Sequence, residues 1–113
     1  EVIRKVDYDE MGPERVMEVI DERIGDRPLY ITFDLDCLDP TVAPGVANIE
    51  AGIEGFGIDQ VTQLLRSVRG KNVIGGDVVC LMPTVDSPNA ITSYRSMAVM
   101  FEILSLIADR AAG

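Results

Sequence analysis

The pattern of hydrophobic and polar positions along this chain predicts the elements helix, strand, helix, strand, helix, in that order. Apolar residues recur at helical spacing between Pro13, which suits a first helical turn, and Gly25, which suits a helix end, so a helix is predicted over residues 13–25. The apolar, β-rich run over 29–33 then predicts a short strand of the kind that is buried on both faces of a parallel sheet.

The second half of the chain repeats this pattern. Helical spacing over 58–68, closed by Gly70, predicts a second helix, and the apolar residues of 73–79 predict a second strand that continues toward Pro83. A long helix rich in Met, Ala, Leu and Ile is predicted over 91–108. The loose alternation over residues 1–7 indicates one more short strand at the start.

This order of elements is typical of right-handed parallel crossovers and predicts an α/β fold. At 113 residues, the chain is expected to form a single domain segment over 1–113. A parallel sheet of only two or three strands is marginally stable alone and needs cover on both of its faces. It is also small for a final helix that is so apolar. The pattern therefore indicates part of a larger sheet.

Composition narrows the possible functions. The net charge of −9 argues against nucleic acid or an anionic membrane surface as partner and suits cations instead. Two cysteines are too few for a disulfide framework, and no unbroken apolar run approaches the roughly 20 residues of a membrane span, so a cytoplasmic location is expected. The absence of histidine excludes a Ser-His-Asp or Cys-His relay and a Cys2His2 zinc site built from this chain alone.

A carboxylate cluster follows the first clear strand. Asp34 and Asp36 should lie on one side of an extended segment, because strand residues alternate faces. At the carboxyl end of a parallel strand, such a pair predicts a site for one or two divalent ions, and hard oxygen ligands favour manganese, magnesium or calcium. Asp39 is better interpreted as a loop residue that accepts hydrogen bonds from backbone amides.

The cluster has other possible interpretations. The two aspartates could be solvated acids at the start of a loop. A calcium loop of the EF-hand type fails, because it needs an oxygen ligand at Leu38 and a glycine at Asp39. A haloacid-dehalogenase-like phosphohydrolase, with Asp34 as nucleophile, matches in part and stays open as an alternative.

Two motifs together resemble the ureohydrolase family, the agmatinases and arginases. The segment DLDCLDP over 34–40, followed by APG over 43–45, is similar to the family's second metal motif. The segment GDVVCLMP over 76–83, with Asp86 and Thr92 beyond it, is similar to the family's Asp-Val-Val-Glu-x-x-Pro segment. The order and spacing of these motifs agree over nearly the whole chain.

The resemblance implies a three-layer αβα fold with a mostly parallel sheet. It also implies that Asp34 and Asp36 are ligands of a centre of two manganese ions. The reaction would be hydrolysis of a guanidino carbon–nitrogen bond in a small cationic substrate, releasing urea as in an agmatinase, and the assembly a homo-oligomer. Two metal ions suit this chemistry, because they lower the pKa of a water that can attack the guanidinium carbon.

The missing histidines limit what this segment can do. Family members carry their other metal ligands and a catalytic histidine upstream, so the 113 residues are expected to correspond to the C-terminal part of such an enzyme. No catalytic residue is assigned within them, and the chain alone is expected to be inactive. A noncatalytic binding or assembly module is the remaining alternative.

Cys80 occupies the position at which the family has a glutamate that binds the guanidinium group. A thiol offers only a weak hydrogen bond, so substrate binding at Cys80 is expected to be altered. An equally open interpretation is that Cys80 is a small buried residue of the second strand. The loop over 46–53 is bulkier than the family's Gly/Thr/Pro-rich loop, which indicates a different substrate pocket.

Three further residues or groups have structural interpretations. Cys37 is expected to fill space between the aspartates and the sheet. Asp77 is expected to support a site through hydrogen bonds rather than bind metal. The methionines Met97 and Met100 are expected in the core or a subunit interface.

Overall fold

The computed structural model describes residues 1–50 and 54–113 of the chain. The last three residues of the loop predicted to alter the substrate pocket, 51–53, lie outside the described residues. The helices and strands, with two short 3₁₀ turns, follow in the order α1 (Lys5–Ile24), β1 (Leu29–Asp34), a turn (Leu35–Cys37), α2 (Ile58–Ser67), β2 (Val73–Val79), a turn (Pro83–Val85) and α3 (Ile91–Ala112). The predicted order from the first helix onward, and the α/β class, are confirmed.

The strand predicted over residues 1–7 is wrong, because helix α1 begins at Lys5. The Asp7 carboxylate accepts hydrogen bonds from the Arg4 backbone N–H at 3.1 Å and from its guanidinium group at 2.7 Å, which satisfies the start of the helix. The helix is interrupted at Gly12, where φ is 80°. Pro13 therefore opens the second half of α1, where its missing N–H costs little.

Strands β1 and β2 form a two-stranded parallel sheet. The register shifts by one residue after the Leu29–Val73 pair and then runs evenly from Tyr30 opposite Gly75 to Asp34 opposite Val79. Both strands thus end at the same edge of the sheet.

The core lies between the sheet and the helices. Helix α3 crosses β2 so closely that a Cβ atom on Gly76 would lie 2.6 Å from Ile103 Cγ2. The main core cluster joins β1 and the turn after it, the following loop, α2 and α3; it consists of Phe33, Leu35, Leu38, Ala43, Val46, Val61, Leu65, Val99 and Ile103. Because Phe33 and Leu35 of this cluster lie at the end of β1 and in the turn after it, close packing supports that edge of the sheet.

The opposite face of the sheet is largely exposed in the part of the chain that the structure describes. Tyr30 is 56% exposed, and Thr32 beside it is also exposed. Both donate hydrogen bonds to Asp77, at 2.9 and 2.6 Å, so the hydrogen-bonding role expected for Asp77 is present but joins strands rather than supporting a ligand. The expectation that the first strand is buried on both faces is wrong for this chain, because every second side chain of β1, beginning at Tyr30, is exposed.

Helix α3 also carries an exposed apolar stripe. Tyr94, Met97, Phe101 and Leu104 are each about 60% exposed or more, at spacings of three and four residues. Met97 and Met100 are thus outside the core of the described residues, and the subunit interface stays a prediction for them. By length and composition alone α3 could cross a membrane, a criterion that core helices of soluble proteins also meet. The absence of a membrane partner stays a prediction.

The two adjacent glycines of β2 test how tightly α3 packs on the sheet. In Gly76→Ala the added methyl would meet Ile103 and the carbonyl oxygen of Ile31 at 2.6 and 2.7 Å, so we expect the free energy of unfolding to fall by about 1–3 kcal/mol. In Gly75→Ala it would meet only the exposed Tyr30 ring, at 3.0 Å, which can turn away. Urea unfolding of both variants measures the difference, and equal stability of the two would contradict this packing.

Candidate metal centre

Asp34 and Asp36 are brought together by a tight turn. Asp34 ends β1, and Asp36 lies in the 3₁₀ turn that follows, where its backbone N–H donates a hydrogen bond to Asp34 Oδ1 at 3.2 Å. The extended geometry predicted for this pair is therefore wrong. Leu35 is fully buried and Cys37 is half-buried against the core, as expected for Cys37, so the turn is anchored on both sides of Asp36.

Cys80 reaches the same place from the other strand. It follows directly after β2, and because Asp34 pairs with Val79, the register sets Cys80 beside the end of β1. One ligand atom from each of Asp34, Asp36 and Cys80 lies within 4.8 Å of the other two. Cys80 is exposed, so the interpretation of Cys80 as a buried strand residue is wrong.

The backbone at Cys80 has an uncommon conformation. Its φ angle is 71°, in the left-handed region that residues other than glycine rarely adopt. Such strain costs of order 1–3 kcal/mol and collects at functional sites, where the surrounding structure holds it in place. Here it marks the point at which the chain leaves the sheet and presents the thiol at its edge.

Loss of solvent and neighbouring acidic groups raise the pKa values of Asp36 and Cys80 at this edge. Loss of solvent, together with a hydrogen bond and charge from Asp34 and the charge of Glu50, raises the pKa of Asp36. A hydrogen bond with the Asp34 carboxylate, then loss of solvent and the charges of both aspartates, raises the pKa of the Cys80 thiol to about 11. Each of these effects disfavours further negative charge, so a cation in their midst would be strongly stabilised.

The donor set fits a divalent metal ion. Asp34 and Asp36 offer hard carboxylate oxygens, and Cys80 offers a sulfur, all at one edge of the sheet. The ends of parallel strands are where open α/β sheets bind their ligands. The residues that sequence analysis singled out for metal and substrate binding are thus brought together here.

Asp39 has the loop role that was expected for it. Its carboxylate accepts hydrogen bonds from the Thr41 backbone N–H at 2.8 Å and from the Thr41 hydroxyl at 2.6 Å. These bonds lower the pKa of Asp39, the hydroxyl contributing most. Asp39 is not part of the cluster formed by Asp34, Asp36 and Cys80.

The loop after the aspartates is fastened to the start of α3. The Gly45 N–H donates to the fully buried Thr92 hydroxyl at 2.7 Å, and the Gly45 carbonyl oxygen accepts from the Met82 N–H at 2.8 Å. A Cβ atom on Gly45 would lie 2.7 Å from Asp86 Cγ, so only glycine fits. The two sequence motifs therefore meet in space just behind the candidate site.

Asp86 fixes the first turn of α3. Its carboxylate accepts hydrogen bonds from the backbone N–H groups of Ser87, Thr92 and Ser93 at 2.8, 3.1 and 3.0 Å. Loss of solvent alone would raise the pKa of Asp86, but these bonds together with one to the Thr92 side chain outweigh it and lower the pKa to about 2.

An open cleft of about 830 Å³ adjoins Asp36. Its lining combines acids, which are Asp9 of α1 and Glu50 and Glu54 of the long loop, with the basic residues Arg4 and Lys5, and Lys5 forms an ion pair with Asp9. These acids are scattered along the chain and carry no motif that would predict a site. The only signal was the strongly negative net charge, which does not locate its sources.

Comparisons with known proteins agree on one family. A model of the Arginase family matches residues 1–105. A guanidinopropionase from Pseudomonas aeruginosa is 38% identical over 111 residues, which are 98% of this chain and 34% of that protein. An agmatinase from Photorhabdus laumondii is 40% identical over 91 residues, 80% of this chain and 29% of that protein.

A solved structure gives the same result for the fold. The crystal structure of a hypothetical agmatinase from Burkholderia thailandensis superposes with a TM-score of 0.90 at 37% identity, over 100% of this chain and 35% of that one. The chain thus spans about a third of the length of the proteins that it matches.

Because the pKa of Asp86 is lowered to about 2, its ionised form stabilises the fold. That stabilisation is fully present above the unfolded-state pKa of about 3.9 and is lost as the pH falls toward 2. Wild type should therefore exceed Asp86→Asn in stability at pH 5, and the gap should close between pH 4 and pH 2. Urea unfolding across this range measures it, with Asp26→Asn, in an exposed turn, as the control for net charge; a gap that stays constant would contradict the role of Asp86.

Proposed function

The chain belongs to the arginase family, and on that premise we propose that Asp34 and Asp36 hold metal in a hydrolase of guanidino carbon–nitrogen bonds. The observation that carries this proposal is the convergence of both aspartates with Cys80 within 4.8 Å at the carboxyl edge of a parallel sheet. Family membership also sets aside the phosphohydrolase alternative with Asp34 as nucleophile.

The metal requirement follows from the donor chemistry. The two carboxylates together favour a hard divalent ion, and two manganese ions per site in the intact protein are part of the proposal. When bound, divalent ions act as Lewis acids and lower the pKa of water toward neutrality. The part played by this chain is to hold Asp34 and Asp36 on a turn whose neighbours, Leu35 and Cys37, are anchored in the core.

The substrate we propose is a small cationic guanidino compound. Glu50 and Glu54, which line the cleft beside Asp36, would attract such a cation, and Arg4 and Lys5 on the same lining offset part of that attraction. An agmatinase-like reaction that releases urea is the simplest form of the proposal. Because Cys80 replaces a carboxylate, one negative charge that would pair with the guanidinium group is missing, and other acidic residues of the intact protein must supply it.

We further propose that the activity belongs to a longer assembly and that this chain alone is inactive. The chain has no histidine, spans about a third of its relatives and leaves one face of its sheet largely exposed among the described residues. The remainder of an arginase-type domain is the proposed cover for that face and for the apolar stripe on α3. A homo-oligomer in the cytoplasm is proposed for the intact protein, and Cys37 and Cys80, both free thiols, suit that compartment.

Asp36→Asn in the intact protein tests the metal role. Removing one carboxylate leaves the ion with fewer anionic ligands, so we expect bound manganese affinity and urea release to fall by at least about 10- to 100-fold. Metal content by elemental analysis and a urea assay with agmatine and guanidinopropionate give the readouts.

Asp39→Asn is the matched control, because it removes the same charge from the same motif outside the cluster and an amide oxygen can still accept from Thr41. The proposal is wrong if Asp36→Asn keeps both manganese content and urea release, or if Asp39→Asn loses as much of each.

The stripe on α3 gives a test of incompleteness. When residues 1–113 are expressed alone, we expect the uncovered apolar side chains to drive self-association, and we expect Phe101→Lys to reduce it because Phe101 is 67% exposed at the centre of the stripe. Val2→Lys, at a site 84% exposed and outside α3, is the control. Size-exclusion chromatography with light scattering reports the mass, and a monodisperse monomer of the unmodified chain would contradict the expectation.

A further inference from the structure

We propose that Cys80 is a direct, thiolate ligand of a metal held by Asp34 and Asp36, and that this sulfur shifts the preference of the site from manganese toward a borderline ion such as zinc or cobalt. This inference rests on the proposed function, since it concerns the same metal. It shifts the ion preference of the site and gives Cys80 a role that the glutamate at this family position does not have.

The distances suit a single ion. A zinc ion bound at about 2.3 Å from a sulfur and about 2.1 Å from an oxygen keeps those two atoms about 3.6 Å apart at a tetrahedral angle and at most about 4.4 Å apart. The ligand atoms of Asp34, Asp36 and Cys80 lie within 4.8 Å of one another. Closing a gap of about 1 Å needs only small rotations of side chains that are exposed or half-buried.

The sulfur reaches the aspartates through tertiary structure and not through local sequence. Asp34 and Cys80 are 46 residues apart, and the pairing of Asp34 with Val79 is what makes them neighbours. The left-handed backbone at Cys80 then turns the chain at that position, with φ at 71°. Among the described residues, the thiol is exposed and is not part of the hydrophobic core.

The donor set selects the ion. Manganese and magnesium favour carboxylate, carbonyl and water oxygens, whereas thiolate favours zinc and softer ions. Replacing a carboxylate by a cysteine at the rim of two carboxylates moves the preference along that series. On binding, the bond between Cys80 Sγ and hydrogen breaks, the proton passes to solvent, and the sulfur lone pair forms the bond to the metal.

Cobalt and cadmium report this bond directly, because their thiolate complexes absorb in the ultraviolet by charge transfer from sulfur. The intact protein is stripped of metal and titrated with Co²⁺ or Cd²⁺ without oxygen. We expect the charge-transfer band in the wild type and in Cys37→Ala, which removes the other thiol, and its loss in Cys80→Ser and Cys80→Glu. We also expect the preference for Zn²⁺ over Mn²⁺ in competition to fall by at least about tenfold in Cys80→Glu.

The outcomes separate this inference from the proposed function. If the wild type binds metal through Asp36 but shows no sulfur band, or if the band survives Cys80→Ser, Cys80 is not a ligand while the metal-dependent hydrolase stands. If Asp36→Asn leaves metal content unchanged, the proposed function fails and this inference fails with it. A band that is lost only with Cys80, together with the shift in ion preference, supports both.

Discussion

The parallel pairing of β1 with β2 is the constraint on which the candidate site depends. A single register sets Asp34 opposite Val79, and from that pair come the position of Asp36 in the next turn and the position of Cys80 in the next residue. A shift of one residue in either strand would reverse the faces of all its side chains and separate the sulfur from the carboxylates. The register shift between Leu29 and Tyr30 lies at the other end of the strands, away from the site.

A second constraint holds this edge of the sheet from behind. The buried Thr92 hydroxyl accepts a hydrogen bond from the Gly45 N–H. The Asp86 carboxylate accepts hydrogen bonds from the first backbone N–H groups of α3 and lies so close to position 45 that only glycine fits there. Helix α3, the loop after the aspartates and the segment after Cys80 thus share one set of hydrogen bonds. The motif residues Gly45, Asp86 and Thr92, which lie outside the candidate metal site, thus have a structural role, because they hold the segments that support this site together.

Sequence reasoning located most of this arrangement but not all of it. Helices α2 and α3 and both strands follow from apolar spacing and glycine stops, and the cluster around Asp34 follows from its motif. The start of α1 was missed, because the Arg4–Asp7 bonds and the break at Gly12 outweigh the alternation of residues 1–7. The turn at Asp36, the exposure of Cys80 and the approach of Glu50 depend on contacts between distant segments, which no local pattern contains.

The raised pKa of the Cys80 thiol has a consequence for its chemical reactivity. The raised pKa lowers the fraction of the thiol that is ionised at neutral pH, and the thiolate is the form that reacts with peroxides and alkylating agents. The two carboxylates that suit a cation at this edge of the sheet therefore also lower the reactivity expected of its cysteine.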